Sequence, residues 1–236
     1  SVFLQAFLNN IMVYGMQPFQ HLYMHSAFML YKLTLLLLLC AFAYCSGRKD
    51  NTSNGSPNTA VTTTKSAATQ QRAHTCASRL LSYARQHHYA TDYAFLIDMN
   101  LHSGSNRFFV YSFSQKEIIQ QGLVAHGNCG EAFLTGRRYG NTPGCNCTSL
   151  GKYKIGNRYY GRFGVAYKLH GLDSTNNNAF KRFVVLHAHG CVPDAEVSPL
   201  PICQSNGCPT VSPAFLNTLA TYIHNSKKPM LLWIYE

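Results

Sequence analysis

The chain has 236 residues, enough for one substantial domain or two small ones, and its hydrophobic share of 46% excludes a wholly disordered protein. Twenty Lys and Arg against nine Asp and Glu give a formal charge of +11, which favours anionic partners such as nucleic acid, phospholipid or acidic polymers. The basic residues are scattered, as in Lys152, Lys154, Arg158, Arg162 and Lys168, so they predict a diffuse basic face; no nucleic-acid motif accompanies them and no nucleic-acid partner is expected.

Residues 1–25 contain no Lys, Arg, Asp or Glu and read as an upstream extension, with Met24 or Met29 as a natural start. Lys32 then precedes the apolar run Leu33 to Phe42, which ends in Ala41-Phe42-Ala43 and has the form of a secretory signal peptide cut after Ala43. Its core of about ten apolar residues is too short to span a bilayer, for which a helix needs roughly 20. A lipid anchor on Cys45 or Cys40 is the weaker alternative, because bulky Tyr44 and Leu39 stand where processing wants a small residue. Membrane contact is therefore expected only through the leader or such an anchor. Residues 44–72 read as a flexible linker: from Asp50 to Gln71 the chain is mostly Asn, Thr, Ser, Gly and Ala, with too little apolar surface to offset ordering entropy. The folded domain is expected over 73–236.

Within that domain, Leu80, Leu81, Ala84 and His88 recur at helical spacing and predict an amphipathic helix over Cys76 to His88. Aromatic and branched runs predict strands at Tyr93 to Met99, Arg107 to Phe113, Ile118 to Val124, Gly164 to Leu169 and Phe183 to His189, separated by Gly, Asn and Ser turns. Ser212-Pro213 then offers an N-cap with proline in the first turn, and Phe215, Leu216, Leu219, Tyr222 and Ile223 trace the apolar stripe of a second helix. Lys227-Lys228-Pro229 ends it, and Met230 to Tyr235 reads as a buried final strand. Strands dominate with helices at both ends of the domain, so the fold class is β-rich α+β.

The chemistry-bearing residues converge on Ser205-Asn206-Gly207-Cys208-Pro209, preceded by His187-Ala188-His189-Gly190. A thiolate is the reactive form of cysteine, and a nearby imidazole generates it by taking its proton. His187 and His189 alternate along the predicted strand and so look to one side, either being eligible as base. Gly207 permits close approach of a substrate backbone, and the Gly207 and Cys208 amides could hold an oxyanion. The alternative is a structural cysteine in a turn with two hydrogen-bonded histidines.

The ordered set Val124-Ala125-His126-Gly127, Asn141-Thr142-Pro143-Gly144, Ser149-Leu150-Gly151, Gly171-Leu172-Asp173, Val185-Leu186-His187 and Ser205-Asn206-Gly207-Cys208-Pro209 resembles the murein L,D-transpeptidase catalytic domains of YkuD-like fold. The resemblance runs from about Ala90 to the last residue and implies a β-sandwich-like catalytic domain with flanking helices, outside the cytoplasm of a bacterium. It implies that Cys208 attacks a peptidoglycan stem peptide after its third residue, releasing D-alanine and leaving a thioester that an amine or water resolves, with no cofactor. By the family's Val-x-His pattern the base falls on His187, with His189 second. Ser205 would support the loop, Gly207 and Cys208 would supply oxyanion amides, and Ser205, Asn206 and His126 would line the substrate groove. Many relatives carry His where Asn206 stands and Arg or Asn where Pro209-Thr210 follows, which leaves the acceptor open.

Cys129, Cys145, Cys147, Cys191 and Cys203 fall in the same loops, and in an exported chain pairing is the first expectation. Cys145-x-Cys147 does not easily pair internally, so each needs an outside partner, with Cys129 one option and Cys191 to Cys203 another. A zinc site from Cys129, Cys145, Cys147 and His126 is the metal alternative, with a spacing unlike familiar fingers; no metal is expected. The alternatives to transpeptidation are hydrolysis of the same bond and a non-catalytic, disulfide-stapled wall-binding module in which Cys208 is itself paired.

Overall fold

Central strands buried on both faces give one sheet an apolar layer on each side, seen in a computed structural model that describes residues 57–236. The expected leader, its processing site, the candidate lipid-anchor cysteines and linker residues 44–56 lie outside the described residues. Among the described residues no helix is long and apolar enough to cross a membrane.

Helix α1 spans Pro57–Gln86, much longer than the Cys76 to His88 prediction. Residues 57–71, expected to be flexible, are helical. Ala67, Ala68, Gln70 and Gln71 have high helix propensity, so a helix nucleated where it packs extends towards them. The packed part is Ala73, Ala77, Leu80 and Ala84, one stripe at most 1% exposed. Arg72 adds an ion pair of 2.8 Å to the fully buried carboxylate of Asp98.

The strands are β1 (Tyr93–Asp98), β2 (Phe108–Ser112), β3 (Glu117–Gly122), β4 (Gly151–Gly161), β5 (Gly164–Gly171), β6 (Val185–Ala188), β7 (Thr210–Val211) and β8 (Leu231–Tyr235). They form one eight-stranded mixed sheet in the order β3-β2-β1-β8-β4-β5-β6-β7. β8 pairs parallel with β1 and antiparallel with β4, so it joins the two halves. Because side chains alternate faces, Leu96, Leu231 and Trp233 pack with α1 while Phe95, Ile97, Leu232 and Ile234 enter the other core. Helix α2 (Pro213–Asn225) buries Leu216 and Leu219 on that second face, and Ser212 caps it by accepting the Phe215 amide. The result is the expected β-rich α+β architecture with a helix on each face.

The long strand β4 was not among the predicted elements. Its half-buried Lys152 and Lys154 alternate with buried Tyr153 and Ile155, and a register break before Arg158 interrupts its pairing with β5. The candidate catalytic segments lie at the far end of the sheet, on β6 and the loop entering β7.

Candidate active site

Strand β6 carries His187 and pairs parallel with β7, which places His187 directly opposite Thr210. Two residues before Thr210 stands Cys208, half-buried and unpaired. His187, His189, Ser205, Asn206, Cys208 and Thr210 line one cavity of about 200 Å³. The sheet register thus brings the thiol and both candidate bases to a shared space.

The Cys208 thiol accepts the Val185 amide at 3.4 Å and donates to the Phe183 carbonyl at 3.8 Å. Burial pushes its pKa above the ordinary cysteine value, while the Val185 amide and Arg182 act in the opposite direction. His187 is 4% exposed; its Nδ1 donates to the Ala188 carbonyl at 3.0 Å, so Nε2 is the basic nitrogen and accepts the Thr210 hydroxyl at 3.0 Å. Burial lowers its pKa, with the Ala188 bond opposing and His189 adding to the shift. No hydrogen bond joins His187 or His189 to Cys208. His189 is exposed, with its Nδ1 accepting the Cys191 amide.

The loop before the thiol is held from within. Ser205 Oγ donates to the Cys208 carbonyl at 2.6 Å and accepts the Gly207 amide at 3.2 Å. The Gly207 amide is therefore engaged, and of the two expected oxyanion donors only that of Cys208 has no acceptor among the described residues. Gly207 adopts φ +105, and a Cβ there would stand 2.7 Å from the Cys147 carbonyl, so glycine is needed on both counts.

Several contributing residues lack a strong sequence signal. Arg182 donates to the carbonyls of Gly140 at 2.9 Å and Cys147 at 2.6 Å, drawing their loop against the thiol loop. A charged side chain just before an apolar strand was the one hint. Phe163, set in the tight turn between Gly161 and Gly164, stacks on His187 at 4.6 Å and meets His189 edge-on at 6.1 Å. Gln204 exchanges two hydrogen bonds with the Leu134 backbone, linking the thiol loop to residues 129–138.

Two disulfides, Cys129–Cys147 and Cys191–Cys203, brace these loops and leave Cys145 unpaired. The first takes the Cys129 option for Cys147 and removes both as thiolate ligands, so the zinc alternative lacks its donor set; the second joins Cys191 to Cys203. His126 does not reach the thiol cavity. It lines an adjoining cavity of about 570 Å³, on the far side of its own segment from Ala125, with Gln204 in the wall common to both. Arg107 donates to its Nδ1 at 3.0 Å, and burial followed by Arg107 lowers its pKa to about 4.

Comparison with known sequences supplies the family. The profile of the L,D-transpeptidase catalytic domain matches residues 64–235. The chain belongs to this L,D-transpeptidase family. Its mixed sheet with two helices is accordingly a YkuD-like α+β fold. Family members act on peptidoglycan, which places the family's substrate outside the cytoplasm.

No curated protein matches the chain. Among solved structures it is similar to the L,D-transpeptidase of Xylanimonas cellulosilytica, with 15% identity, 65% of this chain and 68% of that one covered, and a TM-score of 0.36. The helical cell shape determining protein Pgp2 of Campylobacter jejuni gives 12%, 61%, 47% and 0.38. The L,D-transpeptidase of Mycobacterium smegmatis gives 12%, 61%, 59% and 0.35. The chain spans about half the length of several such proteins.

Proposed function

We propose that this L,D-transpeptidase family domain, residues 73–236 with the first part of α1 (57–72) leading into it, is an exported cysteine acyltransferase acting on peptidoglycan stem peptides. The observation that carries the reading is the unpaired, half-buried Cys208 lining one cavity with His187 and His189.

His187 takes the thiol proton and Cys208 Sγ attacks the carbonyl after the third stem residue. The C–S bond forms as the C–N bond breaks, and the departing D-alanine amine takes the proton back from His187. An acceptor amine then attacks the thioester, regenerating the thiol and forming the crosslink; water in its place gives hydrolysis. The Ala188 carbonyl fixes the His187 tautomer that leaves Nε2 able to accept, and Thr210 orients it. Because the resting thiol points its proton to Phe183, the pair must close on one another when substrate fills the cavity. The Cys208 amide stabilises the oxyanion, Ser205 holds its loop, and Asn206 contacts substrate at the cavity wall.

Incubation of the protein with tetrapeptide muropeptides, resolved by mass, tests this. Wild type is expected to release D-alanine and form crosslinked or trimmed product, and Cys208→Ala to do neither. Turnover by Cys208→Ala would exclude the assignment. His187→Gln is expected to lose far more activity than His189→Gln; the reverse order would move the base to His189.

The rival wall-binding module requires Cys208 in a disulfide, and its unpaired thiol argues against that reading. Mass-resolved alkylation of the oxidised protein without reductant is expected to modify Cys208.

A further inference from the structure

One stretch of the molecule gathers positive charge without compensation. Lys154, Lys168, Lys227, Lys228 and His170 line a groove of about 550 Å³, with Phe180 on one wall and no acidic residue in its lining. Among the described residues none of the four lysines forms an ion pair. Lys168 lies over the rings of Tyr159 and Phe180 at 5.7 and 5.6 Å, and Phe180 stacks on His170 at 4.9 Å. The His170 ring packs against Gly156, where a Cβ would lie 2.7 Å from its Nε2.

Register connects this groove to the thiol cavity. Residues directly opposite in antiparallel strands share a face, and residues two apart along a strand share it too. Lys154 pairs with His170, Lys168 with Val185 and Ala166 with His187, so Lys154, His170, Lys168 and His187 are on one face of the sheet. Val185, opposite Lys168, donates its amide to Cys208. The amide of Phe183 bonds the Phe180 carbonyl, and the Phe183 carbonyl receives the thiol proton. The basic groove therefore begins one strand away from the nucleophile.

We propose that this groove docks polymeric peptidoglycan, through the carboxylates of stem peptides neighbouring the one in the thiol cavity. Four ammonium groups without ion pairs match a row of carboxylates, and Lys168 stands on the sheet face of His187, one strand from it, within reach of a stem peptide next to the one in the thiol cavity. The proposal rests on the reading of Cys208 as acting on wall peptides, and it assigns to that reaction a polymeric rather than a free peptide substrate.

Co-sedimentation with insoluble sacculi, performed in the Cys208→Ala background, tests docking without turnover. Lys227→Ala/Lys228→Ala is expected to weaken binding about tenfold at low salt, since fields from clustered charge govern such association. Arg85→Ala/Lys116→Gln, which removes the same charge elsewhere, is expected to change it little. Equal losses in both variants would overturn the groove and leave general attraction to a basic protein. Sacculi stripped of covalently attached phosphate polymers are expected to bind as well as untreated ones; loss of binding on stripping would assign the groove to phosphate and overturn the stem-peptide occupant. Wild type that binds sacculi through the groove yet releases no D-alanine would sink the acyltransferase reading while sparing the docking.

Discussion

At the Cys208 thiol, burial and local polarity pull in opposite directions, and burial is the larger influence: it raises the Cys208 pKa above its ordinary value and lowers that of His187 below its own. The resting pair is then neutral thiol and neutral imidazole, unlike a preformed thiolate–imidazolium pair. Alkylation of Cys208 is expected to accelerate with pH and to be still rising at pH 9; a plateau below pH 7 would contradict this. Arg182 is a positioning residue here. Arg182→Gln is expected to raise the thiol pKa further, and to cost about 2 kcal/mol in urea unfolding as buried carbonyls lose charged donors. Arg182→Lys keeps the cation and is expected to restore alkylation towards wild type while recovering less stability. Removing the ring that covers the imidazole, in Phe163→Ala, is expected to move the His187 pKa up towards its ordinary value by NMR titration. The thiol and its two histidines were legible from spacing because reactive groups stand out by type. Arg182 and Phe163 were not, since their roles arise from contacts with residues more than twenty positions away.

Among the elements, α1 illustrates how much packing decides. Its stripe of Ala73, Ala77, Leu80 and Ala84 is mostly small, so Leu80, fully buried, contributes a large share of the apolar contact. Leu80→Ala is expected to destabilise by about 3 kcal/mol in urea unfolding, the range for a leucine cavity in a core. The sequence pattern located this packed stripe but not the helix start, because residues 57–71 lack an apolar face and take helical structure by continuation from it. The strands β1, β2, β3, β5, β6 and β8 were recognisable from branched and aromatic runs. β4 escaped because its solvent-side positions are lysines, which read as scattered basic surface until the alternation with Tyr153 and Ile155 is noticed. β7 is two residues long and exists by virtue of pairing with β6, so no local pattern announces it. The disulfides explain the crowded cysteines: they tie together loops that carry little apolar surface of their own.

For the molecule as a whole, acidification is expected to be destabilising through His126. Its folded pKa of about 4 lies below the ordinary 6.5, so the unfolded chain binds the proton more tightly. The associated stability is fully present above pH 6.5, falls as pH drops, and is gone below about 4; the shift corresponds to roughly 3 kcal/mol. Urea unfolding at pH 7 and pH 4 is expected to show a smaller loss for His126→Gln, which keeps an acceptor for Arg107; an unchanged loss would assign the acid sensitivity elsewhere. The excess charge of the chain also acquires a place at this scale, since part of it faces the basic groove. Finally, the insertion of β8 between β1 and β4 bears on the order of assembly. The β1–β2–β3 meander and the β4–β5–β6 strands can each pair from nearby sequence, but their union waits for residues 231–235, more than a hundred positions after β1. Such late closure predicts slow folding and, until it happens, two bare inner edges on which another chain can add. A chain cut after Met230, and so lacking β8, should therefore aggregate rather than fold into a smaller domain.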